Sequence, residues 1–544
     1  MKPLRIKFIA FVPILMLCSC LSEDPKGQIK EDEAYASAKD ISRDLVGTLY
    51  NYIGGNSDSQ GLQGTFRGVY DWNSMTTDEQ MLPTRGGDWY DGGFWQRLYY
   101  HTWDSSDDAL YSTWCYLYKV VQLTNRSLYL IDKHRSVLTD TQYAQFTSEV
   151  RALRALFYFE LMDMYGRVPL VTEYSETPQP SAQSERSKVF DFIVSELQEA
   201  LPHLPEGRSN YEGEYYGRIT QPVACFLLAK LALNAAVYSD DDWTDSSQPQ
   251  GSNIYFTVGG QRLNAWQTTI YYCERISTMG YTLEARQADN FIIHNETSKE
   301  NIFVIPMNKV LYSNIFGYLF RSRHYAHGSA LGLDSENGTS ATLSTVHAFG
   351  YGTDSLDTRY ATTFFSDTIR VNGKIVLTGT GDPLVYYPLE IRPDLTGSKY
   401  EKVAGARMSK YEVDPTAYSD GKLQDNDIVL FRYADVLLME AEAKVRDGQD
   451  GTAELNKVRT RAGMPPRVKA SLDNILKERL LELMWEGWRR NDLIRFDLFH
   501  RAYDFRPQQA GEADRHTTVF PIPQSAIDMN GKLKQNKGYE SKAY

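Results

Sequence analysis

Residues 140–166 read DTQYAQFTSEVRALRALFYFELMDMYG, and this stretch decides the fold class. Its apolar side chains recur at every third or fourth position, namely at Phe146, Val150, Leu153, Phe157, Leu161 and Met164. Because this spacing matches the turn of an α-helix, it predicts one long helix with a buried face. Gly166 and Pro169 follow the last apolar position and are typical of a helix end.

Similar amphipathic segments fall into neighbouring pairs along the chain, near 107–132, 187–203, 221–238, 262–279, 430–447, 452–462 and 471–487. Small residues inside them would let paired helices approach closely, as in a solenoid of helix hairpins. The strict tetratricopeptide consensus is absent. The sequence therefore predicts a mostly α fold built on a scaffold of degenerate, tetratricopeptide-like helical hairpins.

Two regions lack this periodicity and are rich in Gly, Ser, Thr, Asp and Tyr. The longer one, about 281–425, carries short strand-like pieces, and the shorter one spans about 54–104. A long irregular insertion in a compact domain is usually functional. We therefore expect a helical scaffold, about 105–280 and 425–500, that carries a loop-rich ligand face.

The N-terminus reads MKPLRIKFIAFVPILMLCSC, with a basic start, an apolar run and then Leu-Cys-Ser-Cys. This ending resembles a bacterial lipobox, in which Cys20 is lipidated and becomes the first residue of the mature protein. The sequence thus predicts a lipoprotein signal peptide at 1–19, a lipid-anchored extended tether at 20–40 and a single domain at 41–544. Residues 21–24, Leu-Ser-Glu-Asp, resemble the acidic tag of surface-exposed lipoproteins.

Charge and cysteine content exclude several classes of partner. The formal net charge is −12, and loss of Lys2, Arg5 and Lys7 with the signal peptide makes it three units more negative. Nucleic-acid binding depends on basic contacts to phosphate, so we expect no nucleic-acid partner. The remaining cysteines are widely spread without a CxxC pair, which predicts buried thiols, at most one bridge and no zinc framework: Cys115, Cys225 and Cys273.

Several segments, taken in order, resemble the SusD/RagB family of outer-membrane nutrient-binding lipoproteins. Besides the lipobox they are SEVRALRALFYFELMDMYGRVPLVTE (148–173), RITQPVACFLLAKLALNAAVY (218–238), SKENIFVIPM (298–307), DNDIVLFRYADVLLMEAEAKVRDG (425–448), LNKVRTRAGMP (455–465), ILKERLLELMWEGWRRNDLIRF (475–496) and FPIPQSAIDMNGKLKQNKGY (520–539). The resemblance implies a SusD-like fold. It also implies that the protein is anchored to the outer membrane at the cell surface. It also implies a SusC-like TonB-dependent transporter as partner. Members usually bind oligosaccharides and are not enzymes, whereas RagB-like members are associated with peptides.

No motif for catalysis stands out. The chain lacks HExxH, GxSxG, a P-loop and a GxGxxG placed after a strand. A glycosidase would need two carboxyl groups about 5 to 9.5 Å apart, and the sequence singles out no such pair. The charged stretch WEGWRRNDLIRF, 485–496, together with Glu478 and Glu482, has the spacing of Glu–Arg pairs within a scaffold. We therefore predict no catalytic residues.

The loop LPTRGGDWYDGGFWQRLYYHTW, 82–103, carries the strongest signal for a ligand site. Glycine pairs on both sides of residues 88–91 favour a protruding turn with Trp89 and Tyr90 at its tip. An exposed ring can stack on the C–H face of a sugar while polar neighbours hydrogen-bond its hydroxyl groups. Those neighbours are predicted to be Asp71, Arg85, Asp88 and Asp91, whereas Trp95, Tyr99 and Trp103 are expected to be core residues.

The family commonly contributes further binding residues from the long insertion. On this resemblance we assign Tyr312, Arg321 and Tyr325 to the ligand site. The sequence predicts no metal and no cofactor, because His324 and His327 lack a nearby acidic partner. An acidic run leaves calcium open without predicting it: Asp240, Asp241, Asp242 and Asp245.

The sequence thus predicts a lipid-anchored surface protein that binds a poly- or oligosaccharide and delivers it to a transporter. Two alternatives remain open at this point. A peptide-binding member would need a deeper cleft offering backbone hydrogen bonds. A surface enzyme that degrades glycans would show turnover.

Overall fold

The computed structural model describes residues 30–55, 60–245, 247–311, 315–418 and 423–540. The signal peptide, Cys20, the acidic tag and Tyr312 lie outside the described residues. Within the described ranges, no helix combines the length and the apolar character that crossing a membrane requires.

The N-terminal part of the domain begins earlier than the sequence predicts. Its helices are α1 Glu31–Ala34, α2 Ala38–Ile41, a π-helical turn Ser42–Gly47, α3 Thr48–Gly54, α4 Val69–Ser74 and α5 Phe94–Tyr100. Tyr35 packs on His134, with ring centroids 5.2 Å apart, and Ile41 is fully buried. The prediction of an extended tether up to residue 40 is therefore wrong for residues 31–40, because apolar side chains fold this segment onto the helices.

The central helices are α6 Asp108–Lys133, α7 Asp140–Tyr165, α8 Arg186–Ala200, α9 Gln221–Leu233, α10 Ala235–Tyr238 and α11 Ala265–Ser277. The predicted helix is confirmed as α7, which starts at a capping box formed by Thr139 and Gln142 and ends at Gly166, whose φ is +69°. Helices α6 and α8 both pack on α7. As a result, its C-terminal half is buried on nearly all sides and not only on the predicted face.

Among its described residues, the insertion carries four short α-helices, α12 Gly317–Arg321, α13 Tyr325–Leu331, α14 Leu343–Ala348 and α15 Tyr360–Thr363. The strands are β1 Gln80–Met81, β2 Tyr255–Val258, β3 Gln261–Asn264, β4 Asn301–Ile305, β5 Ser340–Ala341, β6 Phe364–Phe365, β7 Asp367–Thr368, β8 Arg370–Val371, β9 Lys374–Ile375, β10 Val385–Tyr386, β11 Arg407–Met408 and β12 Ile428–Arg432. They form antiparallel pairs: β1 with β5, β2 with β3, β4 with β12, β6 with β11, β7 with β10 and β8 with β9. The β1–β5 pair joins the two loop-rich regions, so together they form one face.

The C-terminal helices complete the scaffold: α16 Tyr433–Arg446, α17 Thr452–Arg461, α18 Leu472–Leu483, α19 Arg489–Arg495 and α20 Gln524–Met529. Helix α11 packs on both α9 and α16, which connects the central and C-terminal helices across the insertion. The fold is therefore mostly α with few short strands, as the sequence predicts. The likeness of the helix pairs to tetratricopeptide hairpins stays a prediction.

Buried ion pairs fix the insertion to the C-terminal helices. Arg432 on β12 contacts Glu300, Glu482 and Glu486, and Arg359 of the insertion contacts Glu482 as well. All of these side chains are buried. The acidic positions of α18 and the segment after it therefore belong to the scaffold, but they act as buried pairs rather than as the exposed pairs that the spacing suggests.

The three cysteines of the folded part are free. Cys225 and Cys273 are buried, whereas Cys115 is exposed, so the prediction of a buried thiol is wrong at Cys115. No group of His, Cys, Asp or Glu side chains among the described residues is arranged to hold a metal ion. In the acidic run, Asp241 accepts a hydrogen bond from Ser187 and Asp242 pairs with Lys537.

Candidate functional site

The turn that carries the predicted aromatic tip is held firmly at its base. Arg85 and Asp88 exchange two backbone hydrogen bonds, of 2.9 and 3.3 Å, around Gly86 and Gly87. Gly86 has a φ of +68°, which an L-residue adopts only with strain. On the N-terminal side, Thr84 bonds through its backbone to residues 393 and 395 of the insertion. The tight turn is therefore formed by the glycine pair itself, whereas the sequence predicts a turn over residues 88–91 with the glycine pairs on both sides.

Trp89 is half-buried and does not stand free at a tip. Its indole Nε1 donates a hydrogen bond of 2.8 Å to the backbone oxygen of Glu336, and its ring meets Trp95 edge to face at 6.2 Å. Gly338 lies against the same indole, where a Cβ would come within 3.0 Å of it. With a φ of +64°, Trp89 also occupies a backbone region that bulky residues rarely adopt. The prediction of a fully exposed Trp89 is therefore wrong, because the insertion covers one side of the ring.

Tyr90 is the exposed ring of this loop, with 57% of its surface accessible. The following residues, Asp91, Gly92 and Gly93, all have positive φ values and turn the chain into α5. The Asp91 carboxylate accepts a hydrogen bond of 2.7 Å from the indole of Trp95 and pairs with Arg67 at 2.9 Å. Asp91 therefore fixes the loop to its base while Tyr90 faces solvent.

Asp88 joins this loop to the insertion. Its Oδ2 accepts hydrogen bonds from the Tyr325 hydroxyl at 3.0 Å and from Lys402 Nζ at 2.7 Å. The hydrogen bond from Lys402 is the main cause that lowers the pKa of Asp88. Burial and the Asp88 carboxylate raise the pKa of Tyr325 to about 12, so its hydroxyl keeps its proton at neutral pH. Tyr325 is nevertheless 46% accessible, and its ring forms a second exposed aromatic surface beside the loop.

Asp71 and Arg321 form a buried pair beneath the loop. The Arg321 guanidinium donates to both carboxylate oxygens of Asp71, at 2.6 and 3.1 Å, and both side chains are almost completely buried. Burial lowers the pKa of Arg321, but the Asp71 charge outweighs this effect and leaves the pKa above its ordinary value. Each side chain thus satisfies the other inside the protein, and direct contact of Asp71 or Arg321 with a ligand stays a prediction.

Arg85 is also buried and has no carboxylate partner. Its guanidinium donates to the backbone oxygens of Gly338, Glu401 and Ala404 and to the hydroxyl of Ser340. Burial, followed by the charge of Arg407, lowers its pKa below the ordinary value. Arg85 thus positions the insertion against the loop, and its contact with a ligand stays a prediction.

Three residues belong to this surface that the sequence analysis missed. Phe66 is 41% accessible and lies over the Arg321 guanidinium at 5.4 Å. Arg67 stacks over Phe94 and pairs with Asp91, and Lys402 approaches from the far end of the insertion. Phe66 stands near Gly64 and Gly68, a pattern that could have marked an aromatic loop residue. Nothing in the local sequence marks Lys402.

The resulting surface, which we call the aromatic face, comprises Phe66, Trp89, Tyr90 and Tyr325 with the charged groups of Asp88 and Lys402. It offers flat rings beside hydrogen-bonding groups that are already oriented by protein contacts. The carboxylates of Asp88 and Asp91 are both paired with cations. Because a general acid needs a raised pKa, whereas that of Asp88 is lowered, Asp88 is not suited to act as a general acid.

Comparisons with known proteins agree with this fold. Residues 351–539 match the family model described as "SusD family", and residues 67–233 match one described as "Starch-binding associating with outer membrane". The starch-binding protein SusD of Bacteroides thetaiotaomicron is 25% identical over 525 residues, which are 89% of this chain and 88% of that protein. The SusD-like protein P38 of Formosa agariphila is 23% identical, over 99% of both chains.

Solved structures of similar shape include two glycan-binding proteins. A laminarin-binding SusD-like protein superposes with a TM-score of 0.68 and 21% identity, covering 92% of this chain and all of the other. Surface glycan-binding protein A from Bacteroides thetaiotaomicron, solved with laminarihexaose, gives a TM-score of 0.68 and 20% identity, over 92% and 99% of the chains. The chain is therefore similar to SusD-like proteins over most of its length, and two separate parts of it match SusD-type family models.

Proposed function

We propose that the protein binds a poly- or oligosaccharide at the aromatic face without cleaving it. The observation that carries this proposal is that exposed Tyr325 bonds to Asp88, which pairs with Lys402 and precedes exposed Tyr90 by two residues. Sugars present C–H faces that stack on such rings, and hydroxyl groups that bond to the adjacent carboxylate and ammonium. Relatives named as starch-binding and laminarin-binding support the ligand class.

The rings of Tyr90 and Tyr325 are exposed and not enclosed, so the affinity of the face should be modest compared with that of an enclosed pocket. Modest affinity suits a protein that releases its ligand to a partner. We therefore propose that a SusC-like TonB-dependent transporter receives the glycan, and that a lipid on Cys20 holds the protein at the outer surface of the outer membrane. Replacement of Cys20 by Ala should abolish labelling with radioactive palmitate and release the protein from the membrane fraction.

Retention on immobilised ligands tests the binding proposal. The purified domain is applied to starch, laminarin, xylan, mannan, pectin and a casein digest, and the eluted ligands are analysed for chain length. Retention of one intact glycan supports the proposal. Retention of peptides alone would favour the peptide-binding alternative, and shortened products would indicate an enzyme. Co-purification of a TonB-dependent transporter with the lipidated protein tests the proposed partner.

A further inference from the structure

An open groove lies directly beside the aromatic face, between α13 and the β8–β9 hairpin. It has a volume of about 800 Å³, within the range of about 300–1,000 Å³ typical of ligand sites. One wall consists of the first turns of α13 with the residue before them, 324–326, 329 and 330. The other wall consists of residues 371, 372 and 374–379. All of these residues lie in the described part of the chain.

Contacts between the two walls hold them in place, so the groove is formed before any ligand binds. Val376 of the hairpin is buried in a small cluster with Ile369, Leu384 and Tyr386, and Ala326 of α13 packs against this cluster. The hydroxyl of Tyr386 also accepts a hydrogen bond of 2.8 Å from the backbone nitrogen of His324. A ligand would therefore not need to order the groove, which lowers the entropic cost of binding.

The lining of the groove offers hydrogen-bond donors without any carboxylate. Its polar side chains are those of His324, Tyr325, Ser329, Asn372, Lys374 and Thr378. His324 Nδ1 accepts a hydrogen bond of 3.0 Å from the backbone nitrogen of Ala326, so the neutral ring carries its proton on Nε2 and can donate. Burial and nearby arginines lower the pKa of His324 to about 4, which keeps the ring neutral at pH 7.

Aliphatic side chains complete the lining. Ile375, on β9, and Leu377, two residues further on, expose 40% and 56% of their surface. Exposed aliphatic groups interleaved with donors match the alternating C–H and hydroxyl surfaces of a sugar chain. A single cation, Lys374, stands among the lining residues, and no described residue pairs with it.

Tyr325 connects the groove to the aromatic face. The Tyr325 hydroxyl donates a hydrogen bond to Asp88, which directly precedes Trp89. Tyr325 also forms part of the groove wall. We propose that the groove is a second subsite for the same glycan, which continues from the aromatic face past Tyr325 towards Lys374. The preferred ligand is then an extended oligosaccharide rather than a mono- or disaccharide. This inference rests on the proposed function.

Binding as a function of chain length tests the subsite. The probe is the polysaccharide retained in the panel above, hydrolysed to a ladder of defined lengths and measured by isothermal titration calorimetry. Wild-type affinity should rise with length until both subsites are filled. Ser329→Trp places an indole in the groove and should lower affinity for the longest chains about tenfold, a loss equivalent to one or two hydrogen bonds. Affinity for the shortest chain that binds should not change.

Two variants control for indirect effects. Ser329→Ala keeps the groove open and should lower long-chain affinity by no more than about threefold. Lys374→Ala removes an exposed side chain without disturbing the packed cluster, and it should weaken only the long chains. If Ser329→Trp unfolds the protein, as judged by its melting temperature, Lys374→Ala decides the question.

The outcomes separate this inference from the proposed function. If the wild-type protein binds glycan but neither Ser329→Trp nor Lys374→Ala alters affinity at any length, the groove is not a subsite and the proposed function stands. An equal loss of affinity at all chain lengths would also contradict the subsite, because the effect would then not be confined to the part of the glycan that extends into the groove. If the wild-type protein retains no glycan, both proposals fail.

Discussion

The hydroxyl of Tyr325 donates a hydrogen bond to the carboxylate of Asp88 across 3.0 Å, although the two residues lie 237 positions apart in the chain. Lys402 reaches the same carboxylate oxygen from a third segment. The aromatic face therefore depends on contacts between the N-terminal loop and both ends of the insertion. Its geometry is set by tertiary contacts and not by the loop alone.

Glycan binding should be nearly independent of pH between about pH 5.5 and 8. The folded-state pKa of Asp88 is depressed, so its contacts with Lys402 and Tyr325 are fully present above the unfolded-state value of about 4. These contacts are lost only as the pH falls further, through the folded-state pKa of Asp88. Tyr325, with a pKa of about 12, and His324, with a pKa of about 4, do not titrate in this range. Calorimetric affinities across the range check this, and a midpoint near pH 6.5 would contradict it.

Replacement of Asp71 by Asn should destabilise the protein strongly. The variant leaves the buried Arg321 guanidinium without its carboxylate, and breaking such a pair costs about 3–5 kcal/mol of the free energy of unfolding. Chemical denaturation measures the change. Lys188→Met is the matched control, because Lys188 lies in an exposed ion pair and should change the stability by less than about 1 kcal/mol. Equal stabilities of the two variants would show that Asp71 is not a structural residue.

The glycine pair of the turn should respond unequally to alanine. Gly86 has a positive φ, whereas Gly87 does not, and nothing lies within 4 Å of the position of a Cβ at Gly87. Gly86→Ala should therefore cost about 1–2 kcal/mol, and Gly87→Ala should be close to neutral. Thermal melting of both variants measures the difference. Equal melting temperatures would mean that the turn has another conformation.

Glu160 should make the stability of the protein depend on pH. It is partly accessible and lines a cavity of about 50 Å³, and desolvation by the surrounding protein, assisted by the charge of Asp163, raises its pKa to about 8. A raised carboxyl pKa means that the folded state loses stability as the pH rises from the unfolded-state value of about 4.3 to about 8. The melting temperature of Glu160→Gln should exceed that of the wild type by an amount that grows from pH 5 to about pH 8. A constant difference would show that Glu160 does not titrate in this range.

The scaffold could be predicted from the sequence because its signals are local. The apolar spacing of residues 146–164 and the stop at Gly166 suffice to define α7, and Trp95, Tyr99 and Trp103 are buried as their spacing suggests. Burial on both sides of α7 could not be predicted in this way, because it depends on how α6 and α8 dock.

The site could be predicted only in part. The glycine turn and the exposure of Tyr90 follow from local sequence. The burial of Asp71 does not, because its partner Arg321 lies 250 residues away, and the same holds for the cover that Glu336 and Gly338 provide for Trp89. A charged residue in a loop-rich region is predicted to be exposed when its distant partner is not known.

Tyr90 tests the central claim most cleanly, because Trp89 also packs inside the protein and its replacement would mix binding with stability. Tyr129 is the matched control: it is 48% exposed and lies on α6. Calorimetric titration of the retained glycan should show that Tyr90→Ala lowers affinity about tenfold while Tyr129→Ala binds as the wild type does, with all three proteins equally stable. If Tyr90→Ala bound the glycan with the same affinity as the wild type, that result would contradict glycan binding at the aromatic face.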